Sequence, residues 1–339
     1  MGHTTNESKV TAIYIYPVKS CAGIKVDSAR TALTGFEYDR LWMVVDEKTG
    51  KFVSQRNFPR LALVNQQINF DQGYLVLTTE SMPSPLRLPL KPKILSIGEA
   101  TATEDGRPVS TKVDVWGSEV TGFDCGPEPA RWFTEFVGKP CRVLFKDPDT
   151  IRPVASYQIP KEAYPTTTAS NDGSSRNLVK TPETGFSDGF PILIATQNSI
   201  DEVNSRLPKP ENPLDFDKVD HLTFRPNIII SCPSDTPAYD EESWVKFNIT
   251  PQSSSGSDKG RDAIQFYVNC RCIRCTVPNI IRSAGRLSKN REPSKTMRTY
   301  RCVDKDRTGK VCFGMNTTSF TFGDVVSVGD VVKVIERAN

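Results

Sequence analysis

The sequence has little histidine, no long apolar run and no marked excess of either charge. Only 2 histidines occur among 339 residues, and 43 basic side chains nearly balance 40 acidic ones, which leaves a formal net charge of +3. A histidine-rich metal site is therefore excluded. The overall charge gives no argument for a nucleic-acid or membrane-surface protein. No apolar stretch approaches the ~20 residues that a membrane-spanning helix needs.

The cysteines and the N-terminal residues indicate the cellular compartment. Residues 1–9 are polar and lack the basic and then apolar pattern of a secretory signal. We therefore expect a cytoplasmic protein. The 9 cysteines are an odd number, which favours reduced thiols over a disulfide framework in that compartment. Of the two histidines, His221 is the one candidate for a general base, since His3 lies in the polar leader.

Short strand candidates dominate the first 148 residues. A single helix is predicted among them at 128–138, where apolar residues recur at helical spacing. Together they predict a mostly β domain that is partly closed into a barrel. The strand candidates are apolar and β-branched segments at 10–17, 41–45, 61–68, 73–77, 112–116 and 141–145.

The second half alternates apolar segments with polar, turn-rich ones. Ser199 to Glu202 form a capping-box pattern that predicts a helix start. The tail at 325–335 alternates around Gly329-Asp330 and predicts a closing β-hairpin. The remaining predictions are a polar loop or linker at 165–177, buried strands at 191–195 and 228–231, and an insertion at 251–260.

The densest group of reactive side chains is the cysteine run at 270–275. A C-x-C-x-x-C run could hold zinc or part of an iron–sulfur cluster, but a fourth thiolate would come from a distant cysteine at no recognised spacing. Alternatively, Cys270 and Cys272 are small buried residues of a strand. In a third interpretation Cys275 alone ligates a cofactor metal, and the charge of Arg274 favours its thiolate form.

Several basic residues lie next to apolar strand candidates. Lys19 and Ser20 end the first strand, Arg40 precedes the second, and Arg225 precedes a buried one. Each could be a solvated surface charge. An arginine beside a buried strand often needs an anion, however, and phosphate is the commonest. With the thiolate, this pattern fits a phosphorylated organic cofactor that carries a metal.

Five motifs resemble those of the MOSC family, and their order and spacing are similar to the amidoxime-reducing component type. The resemblance implies a mixed α/β, β-rich fold, with a MOSC N-terminal β-barrel module packed against a MOSC β-barrel domain with peripheral helices. The implied units are 8–148, a linker at 149–180, and a cofactor-binding domain at 181–337. The motifs are YPVKSCAG at 16–23, DRLW at 39–42, SDGFP at 187–191, FRPN at 224–227 and CIRC at 272–275.

The resemblance also implies a molybdenum–molybdopterin cofactor, with Cys275 as catalytic residue and metal ligand. Two departures put substrate preference in doubt. Asn316 stands where the animal proteins have tyrosine, and residues 280–285 replace an Asp-Pro-Asp-Thr-Gly segment that we expect to border the substrate entrance. Gly189 and Phe190 replace Thr-Ser, so that only their backbone groups could serve the cofactor. The implied cofactor-binding residues are Lys19, Ser20, Arg40, Gly189, Phe190, Arg225, Ile273, Arg274 and Asn316.

By the same resemblance, the chain reduces N-hydroxylated compounds such as amidoximes and hydroxylamines. The sequence has no nucleotide-binding glycine fingerprint and no ferredoxin-type cysteine spacing. The family implies that cytochrome b5 and NADH-cytochrome b5 reductase supply the electrons. The alternative is a non-catalytic carrier of the cofactor, like the MOSC part of cofactor sulfurases. Their pyridoxal-phosphate domain does not fit into 339 residues. The membrane anchor of the mitochondrial relatives is not expected here.

Overall fold

A computed structural model of the chain describes residues 7–92, 110–154, 182–209, 215–216, 218–252 and 262–338. The predicted loop at 165–177 lies outside these ranges, as do most of the linker and most of the insertion at 251–260. The division into units at 148 and 181 stays a prediction.

The described residues form twenty strands and three α-helices, with short 3₁₀ turns between them. The helices are α1 (Pro127–Val137), α2 (Gln197–Arg206) and α3 (Ser294–Arg298), and the 3₁₀ turns are Pro59–Leu63, Asp240–Ser243, Val277–Asn279 and Arg282–Ala284. The strands are β1 (Ser8–Ile15), β2 (Ile24–Val26), β3 (Ser28–Ala32), β4 (Gly35–Phe36), β5 (Trp42–Asp46), β6 (Asn65–Asn69), β7 (Tyr74–Thr78), β8 (Leu86–Pro89), β9 (Ser110–Val115), β10 (Ser118–Asp124), β11 (Cys141–Lys146), β12 (Ile192–Thr196), β13 (Ile228–Ser231), β14 (Trp244–Thr250), β15 (Ile264–Ile273), β16 (Ile280–Ile281), β17 (Arg286–Leu287), β18 (Cys312–Ser319), β19 (Val325–Ser327) and β20 (Val331–Arg337).

Seven strands close a barrel in the order β13-β12-β18-β15-β14-β20-β1, because β1 pairs with β13 as well as with β20. The β12–β13 pair is parallel, and the other pairs are antiparallel. The barrel interior is apolar and includes Ile13, Ile194 and the rings of Phe247 and Phe266, which stack at 5.1 Å. The first strand of the chain therefore completes a barrel whose other six strands come after residue 190.

The rest of the N-terminal segment forms an open half-barrel. Its main sheet has the order β5-β11-β10-β9, and β6, β7 and β8 form a second sheet. Helix α1 packs Trp132, Phe133 and Phe136 into the apolar core of this half-barrel. The closed barrel and the half-barrel confirm the predicted β-rich fold class with peripheral helices.

The strand predicted at 61–68 is wrong in its first half. Pro59–Leu63 forms a 3₁₀ turn, and β6 begins only at Asn65. Proline lacks a backbone N–H and fixes φ near the helical value, so it favours the turn. Leu61 lies in this turn and is still fully buried. A buried apolar residue in a turn has the same sequence pattern as one in a strand, which explains the wrong prediction.

Helix α2 begins earlier than the capping-box pattern predicts. Thr196 is the N-cap, and its side chain accepts a hydrogen bond from the Ser199 amide. The hydroxyl of Ser199 instead donates to the buried carboxylate of Glu241 at 2.8 Å. Because a buried carboxylate needs donors, Ser199 lies inside the helix rather than at its cap.

The predicted hairpin at 325–335 is also wrong, since its two strands do not pair with each other. β19 pairs with β3, whereas β20 pairs with β14 and β1. Gly329 has φ +97°, and its amide donates to the Val10 carbonyl at 2.8 Å. The turn therefore leads the chain from one sheet into the barrel.

The position of β1 in the barrel predicts a large loss of stability for Ile13→Ala. Ile13 has no exposed surface, so the cavity should lower the free energy of unfolding by about 2–5 kcal/mol. Ile335→Ala, where the side chain is 46% exposed, is the matched control and should cost at most about 0.5 kcal/mol. Urea denaturation measures both, and equal losses would contradict this account of the barrel.

Candidate functional site

The candidate site is a cavity between the barrel and the half-barrel. Of the ten site residues that the sequence predicts, nine line it, and the tenth, Ile273 at the end of β15, does not. The loop after β1, the segment before β5, the segments that lead into β12 and β13, the end of β15 and strand β18 bring the nine together. They are Lys19, Ser20, Arg40, Gly189, Phe190, Arg225, Arg274, Cys275 and Asn316.

Three of these residues have a left-handed backbone although none is glycine. Ser20 has φ +72°, Arg40 +52° and Arg225 +57°. Such a conformation costs roughly 1–3 kcal/mol per residue and persists only where the surrounding structure holds it. Here the left-handed backbone directs three polar side chains, each at the end of a buried segment, toward one cavity.

Arg40 is a largely buried cation with a carboxylate partner. Its guanidinium donates to the Asp39 carboxylate, to Asn227 Oδ1 at 3.0 Å and to the Arg225 carbonyl at 3.2 Å. Asp39 also accepts a hydrogen bond from the Tyr16 amide at 2.7 Å. Burial raises the pKa of Asp39, and the charge of Arg40 opposes that rise. The interpretation of Arg40 as a solvated surface charge is therefore wrong.

The ring of Tyr16 lies next to two guanidinium groups. The Cζ atoms of Arg40 and Arg225 are each 4.3 Å from its centroid, a geometry that favours cations. Arg225 donates to the Cys21 carbonyl at 2.8 Å, and burial lowers the pKa of its guanidinium to about 10. Among the described residues Arg225 has no carboxylate partner, so its charge needs an anion from outside the chain.

Lys19 is also buried, and its charge is balanced at the rim of the cavity. Its ammonium group donates to the Phe186 carbonyl at 2.7 Å and to the Asp188 carboxylate. Burial lowers the pKa of Lys19, and the charge of Asp188 opposes that change. Trp116 donates to the same carboxylate at 2.8 Å. Lys19 therefore helps to shape the cavity wall, with its charge already compensated.

Arg274 joins the cysteine run to the opposite wall. Its Nη2 donates to the Phe224 carbonyl at 2.7 Å, and its Nη1 lies 2.9 Å from Cys272 Sγ. Its Nε is buried without a hydrogen-bond partner among the described residues. A buried donor of this kind indicates a missing acceptor.

Of the three clustered thiols, Cys275 and Cys272 line the cavity and Cys270 does not. Asn316 Nδ2 lies 3.4 Å from Cys270 Sγ, and burial raises the pKa of that thiol to about 11. Cys275 follows the end of β15 and is half-buried. Within the described ranges no group of three His, Cys, Asp or Glu side chains is placed to hold a metal ion. The zinc interpretation of the run therefore has no support there.

The charges of the cavity fit a phosphorylated cofactor. Five cations line it, and Asp188 is the one carboxylate in its lining. Lys19 and Arg40 have carboxylate partners, but Arg56, Arg225 and Arg274 have none in the described part of the chain. A phosphate dianion with bidentate arginine contacts would compensate this excess. Gly189 leaves open space at its position in the cavity lining, since a Cβ there would meet nothing within 4 Å.

Sequence reasoning missed Arg56 and misjudged His221. Arg56 stacks on Trp116, with its Cζ 3.8 Å from the ring centroid, but nothing in its local sequence separates it from a surface arginine. His221 bonds Gln197 at 2.7 Å and Tyr14 at 3.2 Å and does not line the cavity. A general-base role for His221 at this cavity is therefore wrong.

Two family descriptions match the chain. A MOSC N-terminal beta barrel domain covers residues 7–140, and a MOSC domain covers residues 181–333. The chain is a two-domain MOSC protein. This result confirms the family that the five sequence motifs predict, and it places the cavity between the two MOSC units.

The curated relatives of this MOSC protein fall into two groups. Mitochondrial amidoxime reducing component 2 of Bos taurus is 29% identical over 299 residues, which are 87% of this chain and 73% of that protein. Mitochondrial amidoxime-reducing component 1 of Homo sapiens is 29% identical over 87% of this chain and 72% of its own length. Molybdenum cofactor sulfurase of Oryza sativa is 27% identical over 90% of this chain but only 32% of its own length.

One further observation concerns the membrane. Among the described residues, no helix combines the length and the apolar character that crossing a bilayer requires.

The buried Arg40–Asp39 pair predicts that Asp39→Ala is strongly destabilising. Removing a fully buried carboxylate leaves a buried guanidinium uncompensated, which should cost about 3–5 kcal/mol of unfolding free energy. Glu37→Ala is the matched control, because Glu37 is 47% exposed and lies 3.9 Å from Arg30; its expected cost is about 0–1 kcal/mol. Chemical denaturation of both variants tests this, and similar losses would show that the pair does not hold the site together.

Proposed function

We propose that this MOSC protein is a molybdenum oxidoreductase that reduces N-hydroxylated compounds such as amidoximes and hydroxylamines. Association with the molybdenum cofactor is indicated by the MOSC domain and by the relatives that are molybdenum cofactor sulfurases. One observation carries the proposal further. Cys275 lies in the same cavity as three arginines that lack a carboxylate partner among the described residues.

Each part of the cavity has a role in this proposal. Arg225 and Arg274 bind the phosphate of the cofactor, and Arg56 adds a third charge. The half-buried Cys275 provides a thiolate, a soft donor suited to a soft or borderline metal. When bound, the cofactor would supply a redox-active metal for the two-electron removal of oxygen from the N–OH group. The net reaction takes an N–OH group, two electrons and two protons to N–H and water.

Asp188 orients Lys19 and does not act as the proton donor. Partial desolvation at the cavity wall would raise the pKa of Asp188, but the charge of Lys19 and the hydrogen bonds from Lys19 and Trp116 outweigh it and lower that pKa below the ordinary value. The group is therefore a carboxylate near neutral pH. Its side chain is 72% exposed, so the cavity opens to solvent here and water supplies the two protons.

The electrons come from a separate protein, for which a cytochrome b5 with its NADH-dependent reductase is our proposal. The sequence has no nucleotide-binding glycine motif of its own. The decisive experiment follows NADH oxidation with benzamidoxime, both electron partners and the purified holoprotein. Turnover that requires this chain supports the enzyme.

A second candidate function is favoured by the sulfurase relatives. This chain spans about a third of their length, so it corresponds to one part of a larger enzyme. In this alternative, a MOSC unit of that kind carries the cofactor without turnover. Holoprotein that contains molybdenum but gives no benzamidoxime-dependent NADH oxidation would support the carrier. The cytoplasmic location stays a prediction.

The arginines that lack carboxylate partners predict which variants lose the cofactor. Arg225→Ala and Arg274→Ala each remove a buried charge-assisted contact worth about 2–5 kcal/mol, so both should purify with much less molybdenum. Arg225→Lys should restore only part of the occupancy, because an ammonium lacks the planar fork. Molybdenum per chain is measured by mass spectrometry, with Arg87→Ala on the exposed side of β8 as the control. Full occupancy in both alanine variants would refute the phosphate site.

Serine substitutions at Cys270, Cys272 and Cys275 should have different effects on activity and molybdenum content. Cys275→Ser should abolish N-reduction with little change in melting temperature, since a serine alkoxide is inaccessible near neutral pH. Cys270→Ser should keep activity, because that thiol does not line the cavity. Cys272→Ser should retain molybdenum, because the serine hydroxyl can still accept a hydrogen bond from Arg274. An active Cys275→Ser together with an inactive Cys272→Ser would show that the ligand is misassigned.

A further inference from the structure

A second, larger cavity opens on the other side of Cys275. It has a volume of about 750 Å³ and shares Arg56, Arg274 and Cys275 with the candidate cofactor site. Small-molecule sites commonly measure about 300–1,000 Å³. The thiol that we assign to the metal therefore lies at the boundary between two spaces, and only one of them is needed for the cofactor.

The lining of this second cavity is strongly basic. Seven of its residues are lysine or arginine, and it contains no Asp or Glu. Within the described residues, none of the five cations that belong to this cavity alone forms an ion pair, although Arg298 donates to the Gly309 carbonyl at 3.1 Å. They are Lys289, Arg291, Lys295, Arg298 and Lys310.

A packed turn lies next to the segments that line this cavity. The 3₁₀ turn Arg282–Ala284 packs against the turn Pro59–Leu63, and a Cβ on Gly285 would lie 2.8 Å from Leu63. Residues 280–285 are not part of the lining of this cavity, and their position at the substrate entrance stays a prediction. Their neighbours Asn279 and Leu287 line the cavity instead, and the segment supports the wall from behind.

We propose that this basic cavity binds the phosphate group of the substrate, so that the enzyme prefers N-hydroxylated compounds that carry a phosphate. The inference rests on the proposed reductase function. A substrate of this class would place its N–OH group at Cys275 and its phosphate among the lysines. Lysine suits a terminal phosphate because its ammonium group is a compact charge on a flexible stem.

The geometry favours a small anion over the acidic face of a protein partner. The unpaired cations line a concave space of about 750 Å³, in which the charges act on one small ligand at short range. All five of these cations are exposed, so that a small anion reaches them from solvent. The cavity also reaches the reacting thiol directly, which a docking surface for electron transfer does not require.

The test compares two substrates that differ only in the phosphate, namely N6-hydroxyadenosine and its 5′-monophosphate. Holoprotein is assayed with reduced methyl viologen as electron donor, so that no protein partner is present. We expect the KM of the monophosphate to be lower by about tenfold or more at low ionic strength, since several cations face one dianion. This preference should decrease as salt rises and screens the charges.

Two double variants with the same loss of charge locate the effect. Lys295→Ala/Lys310→Ala removes two cavity lysines and should bring the two KM values to within about twofold of each other, because the phosphate dianion then loses two of the charge-assisted contacts that favour it. Lys305→Ala/Lys333→Ala removes two exposed lysines that do not line the cavity and should keep the preference. Melting temperature and molybdenum content are measured on both, so that a folding defect is recognised.

The outcomes separate this inference from the proposed function. Equal KM values in the unaltered protein, or an equal effect of both double variants, overturn the phosphate site. An increase only in the KM for reduced cytochrome b5 in the cavity variant also overturns it and assigns the surface to a protein partner. If neither substrate is reduced, calorimetric titration with adenosine 5′-monophosphate still decides. If only the Lys295→Ala/Lys310→Ala variant fails to bind the nucleotide, the anion site is supported although the reductase function fails. If the unaltered protein does not bind it either, both the anion site and the reductase function are overturned.

Discussion

The buried guanidinium groups around Tyr16 determine how the two halves of this protein meet. Arg40 binds Asp39, Asn227 and the Arg225 carbonyl, and it thereby fixes the segment before β5 to the loop that leads into β13. Such a cation is stable in a low-dielectric interior only when oxygen acceptors surround it. The left-handed backbone of Arg40 and Arg225 is a consequence, since it is what brings both side chains to one ring.

This arrangement leaves a specific imbalance of charge. Two of the five cations in the first cavity have carboxylate partners, and the other three lack them within the described ranges. The first cavity thus retains positive charge that an anionic ligand would compensate. The second cavity continues the same charge beyond Cys275. In our account the first space holds the phosphate of the cofactor, and the second holds the phosphate of the substrate.

Much of the fold was predictable where local signals and long-range partners agree. Helix α1 and strand β13 lie within one residue of their expected bounds. The tail hairpin fails because β19 and β20 find better partners elsewhere, which no local pattern records. The family resemblance predicted nine of the residues that line the first cavity, eight of them within the five motifs. The basic cavity was not predictable, because Lys289, Lys295 and Lys310 are exposed lysines that only the folded chain brings together around one space.

The central claim is that the cavity at Cys275 holds a molybdenum cofactor through its phosphate and the thiolate. Elemental analysis of the protein, produced in a host that makes this cofactor, tests the claim most directly. The account predicts molybdenum and cofactor phosphorus in equal amounts, both stoichiometric with the chain, and no bound zinc. Stoichiometric zinc without molybdenum would contradict it and would return the cysteine run at 270–275 to a structural metal site.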